Sequence, residues 1–243
     1  MQRRRQCLLL ALFTLGCAQG SPGGVFYAGG NDTVTIDGLH RVDWEPFRVT
    51  YVKPGADIRR YDRLLIDEIT ISYRKPPKSA RVGRVLVDPN YALSESGRET
   101  LQRYYHEVFA RSLGNSQSFT ITDEPGPEVL RISGHIINLK ITVPPEREHS
   151  ADNRYYASTL GRLSLIADAS DSMTGEPFLR VGHSRAIESR AGGFYQVDPV
   201  STSTALLEIF DDWAQDLRRG LDRFHALPRI PPPVEQGPAG GNG

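Results

Sequence analysis

The strongest constraint on the fold is a stripe of apolar side chains near the C-terminal end of the chain. The stripe consists of Leu206, Phe210, Trp213, Leu217, Leu221 and Phe224. This spacing places all of them on one face of a helix, and the charged residues Asp211 and Arg218 fall outside that face. The Ser-Thr-Ser-Thr run at residues 201–204 is predicted to cap its start. A helix with one apolar face must bury it, so the chain needs a second layer.

A second amphipathic helix is predicted in the middle of the chain. The Ser-Gly-Arg-Glu sequence at residues 96–99 has the form of a capping box, with Ser96 as the N-cap. Apolar residues then recur at helical spacing as far as Gly114: Leu101, Tyr104, Tyr105, Val108, Phe109 and Leu113. We interpret the aromatic residues in this stripe as core packing rather than a ligand site.

Runs rich in β-branched and aromatic residues predict strands between the turn signals. They lie at residues 47–52, 63–74, 119–122, 129–143, 160–169 and 178–187. In the long fourth run the apolar alternation changes phase between Ile136 and Ile137, which predicts a bulge with Gly134 as its permissive residue. The last two runs flank a turn containing Gly175 and are predicted to form an antiparallel hairpin.

The order of elements, β-β-α-β-β-β-β-α, indicates an α+β fold. We expect a two-layer sandwich in which two amphipathic helices cover one face of a mostly antiparallel sheet. The expected division is a signal peptide at residues 1–16, a lipid-anchored flexible tether at 17–33, a single α+β domain at 34–227 and a disordered Pro/Gly tail at 228–243.

The first residues have the pattern of an export signal. Arg3, Arg4 and Arg5 form a basic start, followed by an apolar run at residues 7–15. This run of nine residues is too short to cross a ~30 Å hydrocarbon layer as a permanent helix. The alternative, a buried N-terminal helix of the domain, fits poorly with the arginines before the run and the glycines after it. We therefore expect a cleaved signal peptide.

The Thr-Leu-Gly-Cys sequence that ends at Cys17 resembles the lipobox of bacterial lipoproteins. The resemblance implies that Cys17 is acylated and becomes the new N-terminus. The residue after it, Ala18, resembles the sorting signal for the outer membrane, so we expect a lipid anchor there with the domain on the periplasmic side. An alternative stays open, in which cleavage after Gly20 releases a soluble protein.

Cysteine content and charge exclude several classes of function. Both cysteines, Cys7 and Cys17, precede the expected domain, which therefore has no thiol for a disulfide, a nucleophile or a metal site. The chain has 29 basic and 29 acidic side chains, and no dense basic stretch follows Arg5. A nucleic-acid partner is not expected, because phosphate binding needs a concentrated basic surface.

Six short motifs are distributed over the expected domain. In chain order they are Asp37-Gly-Leu39, Tyr51-Val-Lys-Pro-Gly-Ala-Asp57, Tyr61-Asp62, Asp171-Ser, Thr174-Gly175 and Trp213-Ala214. Together they resemble an uncharacterised family of bacterial lipoproteins, known as domain of unknown function number 3313. The Lys-Pro-Gly-Ala-Asp stretch is the most specific of them. The resemblance implies an envelope lipoprotein and no activity, and it supplies no catalytic set.

Standard hydrolase and nucleotide-binding motifs are missing from the sequence. Asp168 and Asp171 could act together as acid and base, but we interpret them as residues that hydrogen-bond locally beside a turn. Asp57 is likewise interpreted as a turn residue rather than a partner contact. His135 and His183 lie in strand patterns, where we expect structural imidazoles with satisfied hydrogen bonds.

Two other groups of residues were candidates for binding. Glu146, Glu148, His149 and Asp152 crowd one polar loop and could hold a hard cation, but they lack calcium-loop spacing and are interpreted as a solvated surface loop. Aromatic loop residues are better candidates for a partner surface, namely Tyr155, Tyr156, Phe194 and Tyr195 beside Gly192 and Gly193. We therefore predict no catalytic residue, cofactor or metal, and one lipidation site, Cys17.

The resulting hypothesis is a non-enzymatic envelope lipoprotein that binds another envelope protein or a cell-wall component. Two alternatives remain. One is a periplasmic hydrolase with an unrecognised site, and the other is a soluble periplasmic binding protein, which requires cleavage after Gly20.

Overall fold

The computed structural model describes residues 25–28, 33–74, 90–142, 156–157, 159–188, 195–196 and 199–233. Within these ranges the strands are β1 (Phe26–Tyr27), β2 (His40–Asp43), β3 (Val49–Val52), β4 (Arg63–Ile66), β5 (Thr70–Tyr73), β6 (Thr120–Ile121), β7 (Val129–Ile141), β8 (Tyr156–Ala157), β9 (Gly161–Asp171), β10 (Pro177–Ile187) and β11 (Tyr195–Gln196). The helices are α1 (Glu95–Leu113), α2 (Pro199–His225) and a short 3₁₀-helix (Ile58–Arg60).

Nine of the strands form one mixed sheet. Its order is β1-β2-β3-β10-β9-β7-β4-β6, and β5 also pairs with β7. The pairs from β1 to β7 along this order are antiparallel, whereas β4 and β5 run parallel to β7, and β6 runs parallel to β4. The strands β8 and β11 form a separate antiparallel pair. The expectation of a mostly antiparallel sheet is confirmed.

The two α-helices pack against each other on one face of this sheet, where α2 contacts β10 and α1 contacts β4. The core between the layers is aromatic: Tyr105, Phe109, Phe210 and Trp213 are completely buried. The rings of Tyr105 and Phe109 lie 4.2 Å apart. The chain is therefore the α+β sandwich predicted from its sequence. In the described part of the chain, neither helix is apolar enough over its length to cross a membrane.

Both predicted helical stripes face the core, with Tyr104 and Leu206 only partly buried, but both helices begin earlier than predicted. The N-cap of α1 is Ser94 rather than Ser96, and the Ser94 hydroxyl accepts a hydrogen bond from the amide of Gly97 at 3.1 Å. The long helix α2 begins at Pro199, before the Ser-Thr run at residues 201–204. Proline suits the first position of a helix, because an amide N–H at this position would have no partner within the helix and its absence therefore costs nothing.

The predicted strand at residues 63–74 is two strands. Ile66 of β4 lies opposite Ile132, whereas Thr70 of β5 lies opposite His135. The four residue steps from Ile66 to Thr70 therefore correspond to only three steps along β7. The extra residue interrupts the ladder, as in a β-bulge. The side chain of Ile69 within the interruption is nevertheless buried, which explains why the apolar alternation continued through the break.

The irregularity predicted in the long strand lies two residues further along. The register between β7 and β9 shifts between Ile137 and Lys140, and Asn138 has a φ of 54°. Asparagine tolerates this left-handed conformation better than most residues. Gly134 has a different role from the one predicted, because a Cβ at this position would lie 2.5 Å from the Tyr105 hydroxyl.

The domain extends beyond both predicted boundaries. Residues 25–28, assigned to the flexible tether, include β1, in which Tyr27 pairs with Val42. Residues 228–233, assigned to the disordered tail, run along the loop after β3. The amide of Ile230 donates to the carbonyl of Ala56 at 2.8 Å, and its side chain is buried. Burial of this isoleucine explains why the chain stays on the domain past α2.

The contact between Gly134 and Tyr105 gives a prediction about stability. Gly134→Ala should lower the free energy of unfolding by about 1–3 kcal/mol, because Tyr105 is packed against Phe109 and cannot move away from a new methyl group. Urea unfolding measures the change. Gly182→Ala in β10 is the control, since its nearest neighbour outside the flanking residues, the Val49 Cβ, would lie at an ordinary 3.7 Å. Equal losses in the two variants would contradict the proposed clash.

Candidate functional site at one end of the sheet

Most of the short motifs of the sequence meet at one end of the sheet. The residue pairs His40 with Val52 and Val52 with Leu179 place the ends of three strands at one level. The loops beyond this level contain residues 35–39, 53–62 and 171–176, and we call these three segments the motif end. They contain four of the six sequence motifs in full and the Lys53–Asp57 part of the Tyr51 motif. The remaining motif, the Trp-Ala pair, lies in α2.

The Lys-Pro-Gly-Ala-Asp loop continues directly from β3. Gly55 has a φ of 78°, a conformation that favours glycine. Asp57 is the N-cap of the 3₁₀-helix, and its carboxylate accepts the amide of Arg59 at 3.1 Å. The predicted turn role of Asp57 is confirmed. Lys53, at the start of the loop, pairs with Glu176 beyond the β9–β10 turn, so the loop is held to the hairpin.

Asp171 is the most heavily bonded side chain of the motif end. Its Oδ2 accepts the Tyr61 hydroxyl at 2.7 Å and the Arg60 guanidinium at 2.8 Å. Its Oδ1 accepts the amides of Met173 and Thr174 at 2.9 and 2.8 Å. The carboxylate therefore closes the hairpin turn and also binds the last residue of the 3₁₀-helix and the residue after it.

These bonds determine the ionisation of the cluster. Burial alone would raise the pKa of Asp171, but the hydrogen bond from Tyr61 and those from the turn amides outweigh it and lower the pKa to about 2. Burial, together with the hydrogen bond to Asp171, raises the pKa of Tyr61 well above its ordinary value. At neutral pH the cluster therefore consists of an anion, a neutral phenol and the Arg60 cation.

A second cluster lies on the sheet face opposite the helices, which we call the open face. Arg180 of β10 donates to Asp168 of the neighbouring strand at 2.6 Å and to Asp37 of the motif end at 2.9 Å. A hydrogen bond from Thr35 and those from Arg180 are the main causes that lower the pKa of Asp37, although burial opposes them. One arginine thus joins the loop after β1 to the centre of the sheet.

Asp168 and Asp171 do not form an acid–base pair. Three positions apart on β9, they point to opposite faces of the sheet, and each binds its own arginine. The local hydrogen-bonding role predicted for both holds for Asp171. Asp168 instead binds Arg180 of the neighbouring strand β10, because it lies within the paired part of β9 rather than beside the turn.

The open face also brings a hydroxyl, an imidazole and a carboxylate into line. The Thr70 Oγ1 lies 2.7 Å from the Nδ1 of His135, and the Nε2 of His135 lies 4.0 Å from Asp168. Hydrolases with a catalytic triad use this order of groups. Here the last distance is too long for a hydrogen bond, and Arg180 already binds Asp168. His135 therefore has the structural partner that was predicted, and Asp168 does not orient it.

His183 differs from the prediction. It lies on the helix-covered face beside Trp213, and among the described residues its buried Nδ1 has no hydrogen-bond partner. Burial and the nearby cation of Arg185 are the main causes that lower its pKa. His183 is therefore packed in the core as a neutral imidazole whose Nδ1 lacks the hydrogen bond that was predicted.

The open face has a shallow depression of about 240 Å³. The residues that line it include Tyr51, Ile137, Asn138, Ser164 and Ser184. The two serine hydroxyls hydrogen-bond to each other at 2.5 Å. Because the depression is shallow and open to solvent, it is suited to contact with a surface more than to enclosure of a small substrate.

Several sequence candidates lie outside the described residues. They are Glu146, Glu148, His149, Asp152, Tyr155, Gly192, Gly193 and Phe194. For Tyr156 and Tyr195 only the backbone is described, as members of the β8–β11 pair. In the part of the chain that the structure describes, no three His, Cys, Asp or Glu side chains are grouped as a metal site would require. Cys17 also lies outside the described residues.

Sequence reasoning did not identify Arg60, Arg180 or Glu176. Arg180 lies opposite Asp168 only because the register of β9 and β10 shifts between Pro177 and Leu179, so the predicted hairpin alone did not pair them. Arg60 had no local signal, since its partner lies 111 residues away.

Fold and site together define a class: an α+β sandwich whose charged motif residues hold its own loops together. A family model described as "Protein of unknown function (DUF3313)" matches residues 39–217. The chain therefore belongs to this family, as the sequence motifs predicted. No curated protein matches the chain.

Solved structures with a related arrangement come from several bacteria. A PelC dodecamer from Paraburkholderia phytofirmans is 11% identical, with a TM-score of 0.34, covering 69% of this chain and 96% of that one. The hypothetical protein CT253 from Chlamydia trachomatis is 10% identical, with a TM-score of 0.37, covering 68% and 98%. Protein XCC0632 from Xanthomonas campestris is 10% identical, with a TM-score of 0.34, covering 70% and 87%. Similarity at this level carries no argument about function.

The ionisation of Asp171 predicts how stability depends on pH. Because its pKa is lower in the folded chain, its contribution is complete above its ordinary pKa of 3.8 and is lost as the pH falls toward about 2. The shift corresponds to about 2 kcal/mol. Asp171→Asn should therefore destabilise the domain by roughly this amount at neutral pH, and the difference from wild type should shrink in acid.

Urea unfolding at neutral pH and in acid measures this difference. Glu128→Gln is the matched control, because Glu128 is exposed and its 3.3 Å contact with Arg63 is a surface ion pair. Its effect should be less than about 1 kcal/mol. A pH-independent loss for Asp171→Asn would show that the carboxylate charge is not what stabilises the turn.

Proposed function

We propose that this protein is an outer-membrane lipoprotein, anchored through Cys17 on the periplasmic side, that binds a partner in the cell envelope without catalysing a reaction. The partner is another envelope protein or a cell-wall component. Membership of the family supports the proposal, together with the export signal and the Thr-Leu-Gly-Cys sequence ending at Cys17.

The observation that carries the binding role is the way the charged groups of the motif end and of the adjoining open face bind one another. Asp171 accepts four hydrogen bonds, and Arg180 binds two carboxylates. Groups held in this way are poor acids, bases or nucleophiles, because their protons and lone pairs are already engaged. The same bonds fix the loops of the motif end in one arrangement, which lowers the entropy cost of binding.

The tip of the hairpin provides an apolar contact on this rigid end. Met173 lies between the amide-bonded Asp171 and Gly175, and it is 64% exposed. Methionine is frequent at protein-binding surfaces because its side chain adapts to different partners. The motif end therefore combines a fixed backbone with an adaptable apolar side chain.

The hydrolase alternative has one geometric argument in its favour, the alignment of Thr70 with His135. Two observations weigh against it. The carboxylate that would orient the imidazole is 4.0 Å away. Thr70 is an exposed residue of β5, and the nearby depression is shallow and does not exclude water. The binding role is therefore preferred.

The anchor is tested by following the mature protein in cells. We expect globomycin, which blocks lipoprotein signal cleavage, to cause the precursor to accumulate. Intact-mass analysis of the membrane fraction should show a chain that begins at an acylated Cys17. Cys17→Ser should abolish the acylated form. A soluble chain that begins at Ser21 and is unaffected by globomycin would favour the alternative cleavage after Gly20.

The binding role is tested by photo-crosslinking in intact cells. A photoreactive residue replacing Met173 should give a discrete crosslinked product, because this side chain lies at the tip of the motif end. Mass spectrometry of the product distinguishes a protein from a cell-wall fragment. The control is the same residue replacing Glu107, an exposed side chain of α1 away from the motif end. Absence of a product from position 173, or equal products from both positions, would contradict binding through the motif end.

A further inference from the structure

Large apolar side chains are exposed at one edge of the sheet. Phe26 is 70% exposed, Val34 is 52% exposed, and Ile36 is fully exposed. We call these three residues the N-terminal edge. Among the described residues, the other exposed large apolar side chains are Ile121 and Met173. The exposed apolar surface is thus concentrated where the chain enters the domain.

The backbone positions of these three residues expose their side chains to solvent. Phe26 belongs to β1, the last strand at this side of the sheet, and Val34 bridges to His40 of β2. Ile36 occupies the tip of a tight turn, in which the amide of Thr35 donates to the carbonyl of Leu39 at 2.8 Å. Turn tips normally carry polar residues. Grouped with the exposed Phe26 and Val34 at the same edge, an isoleucine presented there points to contact with an apolar environment.

The charges beside the N-terminal edge do not prevent such contact. Asp37, the neighbour of Ile36, is ion-paired with Arg180 at 2.9 Å. The exposed residues Arg41 and Asp43 of β2 have opposite signs. The described residues beside this edge therefore present no excess of one charge that would repel a lipid surface or require an oppositely charged partner.

We propose that the N-terminal edge lies on the lipid bilayer and places the sheet edge-on to the membrane. This inference rests on the proposed anchor at Cys17. Phe26 follows Cys17 by only nine positions, and nine residue steps span at most about 30 Å when fully extended. The N-terminal edge is therefore the part of the described domain with the shortest connection to the bilayer.

The width of the sheet explains why one edge is favoured. Eight strands lie side by side from β1 to β6. At a strand spacing of about 4.8 Å, β6 is roughly 34 Å from β1. When β1 is on the membrane, β6 and its exposed Ile121 are therefore far from lipid. Ile121 has the same side chain as Ile36, which makes it a matched control at the opposite edge.

The test uses tryptophan fluorescence on vesicles. The mature chain, prepared without acylation, has Cys17 as its single cysteine. Coupling this thiol to a maleimide lipid in phosphatidylcholine vesicles fixes the anchor chemically. The variants Ile36→Trp and Ile121→Trp are then compared in vesicles with and without bromine on the acyl chains, since bromine quenches tryptophans that contact the hydrocarbon. The native Trp44 and Trp213 are buried and give both variants the same background.

We expect brominated vesicles to remove most of the added emission of Ile36→Trp and to shift it to shorter wavelength, and to leave Ile121→Trp unchanged. Circular dichroism should confirm that both variants keep the wild-type fold. No quenching at position 36, or equal quenching at both positions, would overturn the proposal. A protein partner or a second copy on this edge would give the first of these results.

This experiment can fail independently of the proposed function. The chemical tether provides the anchor whether or not the cell acylates Cys17. Absence of acylation in cells would therefore remove the lipoprotein role, whereas absence of quenching on tethered vesicles would remove only the membrane contact of the N-terminal edge.

Discussion

The carboxylate of Asp171 is the interaction on which the motif end depends. It lies where β9 ends and the hairpin turns, and it receives hydrogen bonds from the turn amides and from Tyr61. A charged group in a largely buried position is costly unless its hydrogen-bonding capacity is filled. Here the bonds that fill it also join segments that are 110 residues apart in sequence. The hairpin turn and the loop after β3 therefore take one arrangement together.

Local patterns predicted the helices, the hairpin and the class of the fold. The stripe through Trp213 and the turn at Gly175 each depend on residues within a few positions of one another, and both are confirmed. The break at residues 67–69 could not be predicted in the same way. It arises from the register of β4 and β5 against β7, and the pairing of distant strands leaves little trace in either sequence.

In the candidate site, too, the sequence predicted the features that depend on neighbouring residues and not those that depend on distant ones. The turn roles of Asp57 and Asp171 followed from residue type and spacing, and the structure confirms both. The link between Asp37 and Arg180 spans 143 residues, and no local pattern indicates it. The prediction that His183 has satisfied hydrogen bonds was wrong for a related reason. Whether its imidazole finds a hydrogen-bond partner depends on which helix covers its strand. The sequence therefore predicts which loops contain the motif residues but not which side chains join these loops.

Residues 228–233 connect the two ends of the described domain. Ile230 pairs with the loop after β3 through two backbone hydrogen bonds, and the hydroxyl of Tyr27 in β1 donates to the carbonyl of Pro231 at 2.5 Å. The polypeptide thus enters and leaves the fold side by side. A fluorescent protein or affinity tag fused directly after residue 233 would start from the same corner of the domain as β1, and a bulky fusion there would compete for space with whatever that corner touches.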